Sequence, residues 1–397
     1  MAEDLSFTPS QHVAFSYLDE FCATAPSNDQ NENEVVLTGS PGYGKSFLIE
    51  RLREAHPEII ITATTNKAAS LIDGVTIYSL IGLTLKDNYK TGEQEIDYDK
   101  AQFISKETIV IDECSMINKE LFIAIHTYLK KCKIIYVGDY YQLPPVNNDN
   151  FSMFSLGLKM LELTEPCRTD KHDIIHLMDE LKTGIVNNVL YKNFRPSDNI
   201  KIITDPTELD QLLNDFAPNH DKLLSYTNDN VVSQNFRIRS LTNRGEKFDV
   251  NDYIVCKSAV PACNGDPRDL TKIESVMTIT KIINQRSDDY AYIKCDNGGT
   301  YHVFLNPFSY SKNIKVLASK CKSTGKWKEY FDFKNSVLDI RDIYASTVHS
   351  AQGSTYRNVY IDLRDLWKCY NRSELQRLLY VAVSRAKENV YLILFKN

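Results

Sequence analysis

Short apolar runs that end in glycine or polar residues recur through the first third of the chain. Four of them have the length and β-branched content of buried strands: residues 35–38, 59–62, 108–111 and 134–137. Between them, residues 46–52 and 66–72 carry apolar side chains at helical spacing. Strands that alternate with helices predict a doubly wound parallel sheet, which binds its ligands at the carboxyl ends of the strands.

A second alternating region lies near the C-terminus. Residues 342–346 and 359–362 are predicted strands, and the stretch SELQRLLYVAVSRAKENVYLILF predicts a helix followed by a final strand. Unlike the first region, where the segment GSPGYGKS fits a phosphate-binding loop, this region contains no such loop. We therefore expect an α/β protein with two lobes and a single nucleotide in the cleft between them, where the second lobe supplies cations.

Two segments depart from the alternation. Residues 83–100 show a polar and apolar alternation about Lys90–Glu93, which predicts a β-hairpin. Residues 245–338 contain short strands separated by Asn, Gly and Asp turns, which predict a small β-barrel. The predicted domains are a first lobe (1–185, with the hairpin insert at about 83–106), a second lobe (186–244 and 339–397) and the insert (245–338).

Composition places the chain in the globular class. It has 397 residues, of which 43% are hydrophobic and 25% charged, enough for two to four domains with proper cores. No apolar run approaches the ~20 residues of a membrane span. The start MAEDLSFTPS lacks the regions of a signal peptide, so we expect a cytoplasmic location. Nine cysteines without a C-x-x-C pair predict reduced, mostly buried thiols rather than disulfides or a zinc site.

The net charge of −6 argues against a surface that attracts nucleic acid everywhere, although a local basic groove would suffice. Residues 312–328 contain six lysines and no acid. A solvated lysine-rich loop explains this run, and so does a contact with nucleic acid or a protein partner.

The first apolar run leads into GSPGYGKS, which fits the phosphate-loop pattern G-x-x-x-x-G-K-[ST]. In such a loop backbone N–H groups surround the β-phosphate, Lys45 reaches the β- and γ-phosphate oxygens, and the Ser46 hydroxyl holds Mg²⁺. The following helix N-terminus also attracts anions. The predicted nucleotide contacts are Gly39, Ser40, Pro41, Gly42, Tyr43, Gly44, Lys45 and Ser46. The loop alone does not separate kinases, GTPases, transporters and motors.

Two carboxylates follow the third apolar run. Asp112 lies where a parallel strand would end, so it could hold Mg²⁺ through water. Glu113 would then polarise a water molecule for attack on the γ-phosphate of ATP. These residues predict hydrolysis of a nucleoside triphosphate.

A series of segments resembles, in order, the motifs of superfamily-one helicases, and in particular the Dda-type helicases of tailed phages, which are similar to RecD. The segments are FTPSQHVAF, GSPGYGKS, TATTNKAA, TIYSLIGL, IDECSM, VGDYYQLPPV, LTEPCRTD, LLSYTNDNV, STVHSAQGS and LLYVAVSRAK. The match extends over nearly the whole chain. Tyr78 stands where the family usually has histidine, and Thr355 and Tyr356 stand where many relatives carry an acid, so no contact is carried over at these positions.

The resemblance implies two RecA-like lobes and a role for each motif residue. Gln11 would recognise adenine, Gln142 would sense the γ-phosphate, and Arg168 and Arg385 would neutralise charge on the transferring phosphoryl group. Gln352 and Gly353 would also line the nucleotide site. The DNA backbone would be held by Thr64, Asn66 and Lys67 on the first lobe and by Thr347, His349 and Ser350 on the second. His349 is equally explained as a packed structural histidine.

The implied activity is ATP- and Mg²⁺-dependent, with 5′ to 3′ translocation on single-stranded DNA and unwinding of a DNA fork, in phage replication or recombination and in the host cytoplasm. In the family, a hairpin at 83–100 is the strand-separating pin, so Tyr89 or Tyr98 would be its aromatic wedge, and a plain surface hairpin is the alternative. We expect a monomer with a single-strand-binding or replication protein as partner, and no membrane contact. The motifs also fit an RNA helicase or a translocase that does not unwind, because residues that contact only the backbone do not distinguish DNA from RNA by the 2′-OH. A small-molecule kinase would leave Gln142 and Arg385 without roles.

Overall fold

The computed structural model describes residues 7–92, 94–145, 151–167, 169–266, 269–283, 287 and 289–395. Its helices are α1 Pro9–Ala23, α2 Lys45–Ala55, α3 Asn66–Leu71, α4 Ile77–Leu80, α5 Lys119–Tyr128, α6 His172–Val186, α7 Pro206–Asn214, α8 Asn228–Leu241, α9 Ser309–Thr324, α10 Lys328–Lys334, α11 Leu363–Leu366 and α12 Arg372–Val383. Among the described residues, no helix has the length and apolar character that crossing a membrane requires.

The first ten strands are β1 Glu34–Gly39, β2 Ile60–Ala63, β3 Val75–Thr76, β4 Thr84–Asp87, β5 Gln94–Asp97, β6 Ile104–Ser105, β7 Thr108–Asp112, β8 Leu129–Lys130, β9 Lys133–Gly138 and β10 Lys159–Leu163. The others are β11 Ile200–Ile203, β12 Asp221–Ser225, β13 Tyr253–Cys256, β14 Val276–Ile283, β15 Tyr290–Cys295, β16 Thr300–Phe304, β17 Ile340–Asp342, β18 Ala345–Thr347, β19 Tyr356–Asp362 and β20 Ala386–Ile393.

The chain forms two compact units. The first comprises Met1–Leu83, Tyr98–Ile202 and Val348–Lys396, and the second comprises Thr84–Asp97 and Ile203–Thr347. The residues predicted for the second lobe are thus divided between the two units. The predicted domain boundaries stay predictions.

The first unit contains a six-stranded sheet in the order β10-β1-β9-β7-β2-β3. The pairs of β1 with β10 and β9, of β7 with β9 and β2, and of β2 with β3 are all parallel. Leu37, Leu48 and Val137 belong to the apolar core that packs α1 and α2 on the sheet. This is the predicted doubly wound sheet, and its strands β1, β7 and β9 end at the phosphate loop, at Asp112 and at Gly138.

The C-terminal part of the first unit contains β19 and β20, which pair in parallel, and the buried helix α12. Gln376 of α12 donates from Nε2 to the Leu181 carbonyl of α6 at 2.8 Å, and its Oε1 accepts the Tyr191 N–H at 2.8 Å. The predicted final helix and strand are therefore confirmed, and the helix is anchored to α6 by a buried amide.

The second unit combines a parallel pair, β12 with β18, and an antiparallel sheet in the order β16-β15-β14-β13-β17. The strands predicted for the insert are present, and their inward side chains form an apolar core that includes Ile254, Ile279 and Ile293. The buried Arg239 joins this region to α8, since its guanidinium pairs with Asp252 at 3.0 Å and with Asp342 at 2.8 Å.

The insert is not all β, and this corrects the prediction. Most of the lysine run lies on α9, and its last residue, Lys328, begins α10. Lysine is a good helix former, and Tyr310 and Cys321 supply a buried face three turns apart. The hairpin prediction is confirmed, because β4 and β5 pair antiparallel, with Thr84 opposite Asp97.

Candidate nucleotide and nucleic-acid site

The phosphate loop connects β1 to α2 in the first unit. Gly42 and Gly44 have φ angles of +84° and +83°, a region that glycine adopts without steric cost. A Cβ on Gly44 would lie 2.1 Å from Gln11 Nε2, so a larger residue there would have to displace the Gln11 amide. Lys45 donates from Nζ to the carbonyls of Gly39 at 2.6 Å and Ser40 at 3.2 Å. These bonds hold its ammonium at the mouth of the loop.

Gln11 is held against this loop by the first turn of α1. It forms a capping box with Thr8, and Gln11 Oε1 accepts the Thr8 N–H at 3.0 Å. Its Nε2 donates to the Tyr43 carbonyl at 3.2 Å. The structure therefore brings the predicted adenine-recognising residue to the phosphate loop, although the two segments are more than thirty residues apart in sequence.

Asp112 and Glu113 lie at the end of β7 and are half-buried. The Asp112 Oδ1 accepts the backbone N–H of Glu113 at 2.8 Å, and Glu113 has a left-handed φ of +54°. A Cβ on Gly138, at the end of β9, would lie 2.6 Å from Cys114 Sγ, so this glycine lets the two strand ends approach each other.

The charges of the site act on one another. Burial, followed by the neighbouring charge of Asp112, raises the pKa of Glu113 to about 7, whereas Arg385 and Lys45 act in the opposite direction. Burial also raises the pKa of Asp112, and the bond from the Glu113 amide and the charge of Lys45 oppose that rise. The site therefore holds two carboxylates and two cations that influence each other.

Arg385 and the segment STVHSAQGS, which contains Gln352 and Gly353, both lie near Glu113. Arg385 is 1% exposed, and the charge of Glu113 counters the lowering of its pKa by burial. Gln352 donates from Nε2 to Gln142 Oε1 at 3.4 Å, and a Cβ on Gly353 would lie 3.6 Å from Glu113 Oε1. Gln142, Gln352, Gly353 and Arg385 are thus brought together around Glu113, as the motifs predict.

The donor set fits a nucleotide with Mg²⁺. Backbone N–H groups of the loop, the Lys45 ammonium and Arg385 are cations and donors suited to phosphates. Ser46 is exposed on the first turn of α2. Asp112 is the last residue of β7, a strand of the sheet whose strand β1 leads into the phosphate loop. A hydroxyl and a carboxylate are the oxygen ligands that Mg²⁺ takes from proteins when phosphates supply the others.

The predicted strand contacts have partners within the protein. Lys67 donates from Nζ to the Ser350 carbonyl at 2.5 Å. A DNA-binding residue predicted for the first lobe therefore contacts one predicted for the second. Thr64 is buried, and its hydroxyl donates to the Glu113 carbonyl at 3.1 Å. Asn66 is exposed at the start of α3. Thr64 thus connects the predicted strand-binding segment to Glu113, and Lys67 connects it to Ser350.

His349 and Thr347 lie in different units. His349 is half-buried, with Nε2 3.8 Å from Glu374 Oε1, and burial lowers its pKa while Glu374 opposes this. Thr347 ends β18 of the second unit, opposite Ser225. The roles of both in strand binding stay predictions.

The two candidate wedge residues have different surroundings. Tyr89 belongs to the second unit, where its ring lies 5.2 Å from that of Phe331 in an edge-to-face contact. Tyr98 belongs to the first unit, where burial and then the neighbouring charge of Glu120 raise the pKa of its hydroxyl. They are 52% and 46% exposed, respectively. A wedge role for either stays a prediction.

Four further residues at the site were not assigned from the sequence: Asp139, Lys182, Arg377 and Tyr380. Lys182 of α6 lies 5.1 Å from the centroid of the Tyr43 ring. Arg377 and Tyr380 are the two polar residues of the stretch 377–383 of α12, which is otherwise apolar. Polar residues in such a stretch could have indicated from the sequence that they have a role at the site. Arg168, predicted as a catalytic cation, lies outside the described residues.

Two family models match the segments that contain the candidate site residues. Residues 23–148 match the family model of the AAA domain, and residues 342–393 match that of the UvrD-like helicase C-terminal domain. The first match contains the phosphate loop, Asp112, Glu113 and Gln142. The second contains Gln352, Gly353 and Arg385.

Relatives match over nearly their full length. The ATP-dependent DNA helicase dda of Enterobacteria phage T4 is 23% identical, with 92% of this chain and 95% of the relative covered. The ATP-dependent DNA helicase Pif1 of Campylobacter jejuni is 23% identical, with 89% of this chain and 87% of the relative covered.

Solved structures share the fold. A Pif1 helicase structure that describes DNA unwinding at forked duplex DNA has a TM-score of 0.59 at 17% identity, covering 99% of this chain and 93% of that one. A Bacteroides Pif1 bound to single-stranded DNA has a TM-score of 0.53 at 16% identity, covering 99% and 93%. The fold of two RecA-like lobes is thereby confirmed. The chain resembles the superfamily-one DNA helicases of the Pif1 and Dda type, and its residues 342–393 match the UvrD-like helicase C-terminal domain.

Proposed function

We propose that this protein hydrolyses ATP to move 5′ to 3′ along single-stranded DNA and to unwind duplex DNA at a fork. One observation carries the proposal. Gln352 of the segment STVHSAQGS and Arg385 of the segment LLYVAVSRAK lie in the same compact unit as the phosphate loop, beside Gln142 and Glu113. A simple P-loop kinase has no use for these residues, whereas a motor needs them to respond to the γ-phosphate.

The roles follow from the contacts. The loop amides and Lys45 bind the phosphates of ATP, and Glu113 accepts a proton from the attacking water. Bound Mg²⁺, held through Ser46 and Asp112, would neutralise phosphate charge. Arg385 stabilises the charge that develops on the transferring phosphoryl group, and Gln142 detects whether that group is present.

The same contacts connect hydrolysis to the strand. The Thr64 hydroxyl binds the carbonyl of Glu113, and Lys67 binds Ser350, two residues before Gln352. A shift of Gln142 or Glu113 on loss of the γ-phosphate is therefore passed to residues predicted to hold the DNA backbone. Such backbone grips are blind to sequence, so we propose that the motor acts on DNA of any sequence.

The direction, the unwinding and the biological setting rest on the resemblance to Dda-type helicases. We propose a role in phage DNA replication or recombination in the host cytoplasm, as a monomer that works beside a single-strand-binding or replication protein.

One assay tests the proposal. The protein is given ATP and Mg²⁺ with 5′-tailed and 3′-tailed duplexes, each in a DNA and an RNA form, and Lys45→Ala serves as the inactive control. We expect ATP-dependent unwinding of the 5′-tailed DNA duplex only. Unwinding of 3′-tailed DNA would reverse the polarity, and activity on RNA would change the substrate. ATP turnover that is indifferent to any strand would favour a small-molecule kinase.

A further inference from the structure

Helix α12 carries two polar side chains that point to one loop. Arg377 and Tyr380 are three residues apart and therefore lie on the same face of the helix. Their common partner is the loop Asp139–Gln142, which follows β9 and ends at the predicted γ-phosphate sensor. All of these residues belong to the first unit.

Tyr380 joins three segments of the chain. It is fully buried, and its hydroxyl donates to Asp139 Oδ2 at 2.8 Å. Burial raises the pKa of this phenol, and Ser40 of the phosphate loop is near enough to oppose the rise. The second oxygen of Asp139 accepts the Tyr141 N–H at 2.9 Å. One phenol thus connects the phosphate loop, the sensor loop and α12.

Arg377 fixes the backbone of the sensor loop. Its NH1 donates to the Tyr140 carbonyl at 2.6 Å and to the Gln142 carbonyl at 2.8 Å, and its guanidinium carbon lies 5.7 Å from the centre of the Tyr140 ring. Two bonds from a single nitrogen hold the carbonyls on both sides of Tyr141. A movement of the Gln142 backbone relative to α12 would therefore break a bond to a charged group.

The other end of the same helix positions Arg385. Its Nε donates to the Val381 carbonyl at 3.2 Å, and its NH2 donates to Ser384 Oγ at 2.8 Å. Both acceptors belong to the last turn and the C-cap of α12. The helix thus holds the catalytic arginine at one end and the sensor loop along its side.

We propose that Arg377 and Tyr380 are positioning residues that lock the Gln142 loop to the helix of Arg385, so that both side chains meet the γ-phosphate as one rigid group. The proposal rests on the proposed ATPase function and deepens it. Neither residue needs to touch ATP. Their loss should weaken the response to the γ-phosphate while the binding of the diphosphate part, which depends on the phosphate loop, remains.

The test compares nucleotide discrimination in purified full-length variants. Tyr380→Phe removes one hydroxyl, Arg377→Ala removes the guanidinium, and Arg377→Lys keeps the charge. Affinities for ADP and for ATPγS are measured by displacement of a fluorescent ADP, and kcat and KM by strand-stimulated turnover. Arg364→Ala is the matched control, because Arg364 is a half-buried arginine of the same unit whose guanidinium pairs with Asp362 at 2.8 Å.

We expect Arg377→Ala to lower kcat by about 10²-fold and Tyr380→Phe by about 10-fold, with ADP affinity within about 3-fold of wild type. The preference for ATPγS over ADP should fall in both variants and recover in part in Arg377→Lys. The double variant should lose less than the product of the single losses, because both residues act on one loop.

Three outcomes would overturn the positioning role: an unchanged ATPγS to ADP preference in both variants, an equal loss of ADP and ATPγS binding, or the same loss of preference in Arg364→Ala. The affinity ratio does not depend on turnover. A wild-type protein that fails to hydrolyse ATP would therefore refute the proposed function, whereas the two affinities would still decide the positioning role.

Discussion

The nucleotide site of the first unit and the hairpin of the second unit are held in place by different kinds of contact. Around the nucleotide site, charged and polar groups such as Arg385 and Asp139 are buried and bonded to backbone atoms. The hairpin is held by rings at a surface, since Tyr89 packs on Phe331 and a Cβ on Gly92 would lie 2.5 Å from the Trp327 ring.

The difference predicts how each region responds to change. A buried charged group that loses its partner is costly, and the catalytic geometry depends on it, so substitutions at the nucleotide site should act on rate by orders of magnitude. An edge-to-face ring pair contributes about 0.5 to 1.5 kcal/mol beyond its burial, so substitutions at the hairpin should act more weakly. They should also affect unwinding rather than ATP hydrolysis.

The largest effect should come from the residues proposed to bind the phosphates of ATP and to activate the attacking water. Lys45→Ala and Glu113→Gln should each lower turnover by on the order of 10³ or more, because one removes phosphate binding and the other the base for water. Glu113→Gln should still bind ATP and hold single-stranded DNA in an ATP-dependent complex. Nucleotide titration and strand binding measure this, and an equal loss of nucleotide binding in both variants would contradict the separate roles.

Arg385→Ala should lower strand-stimulated turnover by about 10² or more and leave ATP affinity within a few-fold, since the arginine acts mainly in the transition state. Steady-state kinetics and equilibrium binding on one preparation test this, with thermal unfolding as the check on folding. Normal turnover in Arg385→Ala would contradict the catalytic role of Arg385. From the sequence we expect the same result for Arg168→Ala.

The hairpin tyrosines should separate unwinding from ATP hydrolysis. Replacing Tyr89 and Tyr98 together with Ala should lower unwinding by about 10-fold, because stacking on a base is worth about 1 to 3 kcal/mol. ATPase stimulated by single-stranded DNA should stay near wild type. The single variants show which residue matters, since Tyr89 packs on Phe331 in the second unit whereas Tyr98 lies near Glu120 in the first. Unwinding that survives unchanged places the wedge elsewhere.

A smaller effect isolates the contact of the hairpin with Trp327. Gly92→Ala adds a Cβ that meets the ring, at a φ of +77°. Gly298 in the same unit has a similar φ of +81°, and a Cβ there would meet no other atom within 4 Å. Gly298→Ala therefore introduces backbone strain without a steric clash. We expect Gly92→Ala to lower unwinding by about 3-fold relative to Gly298→Ala, as a clash of this kind costs of order 1 kcal/mol. Equal rates would show that the ring contact does not support unwinding.

The smallest effect concerns stability of the first unit. His126 Nε2 lies 2.8 Å from Glu34 Oε1, and although burial acts to lower its pKa, the hydrogen bond with Glu34 raises the pKa above its ordinary value. A raised histidine pKa stabilises the fold below the unfolded value near 6.5, and the contribution, at most about 1 kcal/mol, is lost as pH rises through the folded pKa. Denaturant unfolding of wild type and His126→Gln between pH 5.5 and 8.5, a range chosen to bracket ~6.5, measures it. If the free energy of unfolding has the same pH dependence in both proteins, the pair of His126 and Glu34 does not contribute to stability.

The nucleotide site was predictable because its residues come in short motifs at fixed offsets. The pattern that places Lys45 and Ser46 in a loop between strand and helix is local, and so is the placement of Glu113 after a strand. The helix α9 was missed for a different reason. Its lysines suggested a loop, yet Tyr310, Ile314 and Cys321 follow a helical period that could have revealed it.

The sequence by itself determined which chemical groups this protein brings to ATP, because phosphate loops and strand-end carboxylates are encoded within about ten residues. Only the tertiary structure decided what holds those groups. Arg377 reaches Gln142 across 235 positions of sequence, and Tyr89 meets Phe331 from a distant part of the chain. Such pairs depend on how sheets and helices pack, and a single sequence carries no local pattern that names the partner of a side chain so far away.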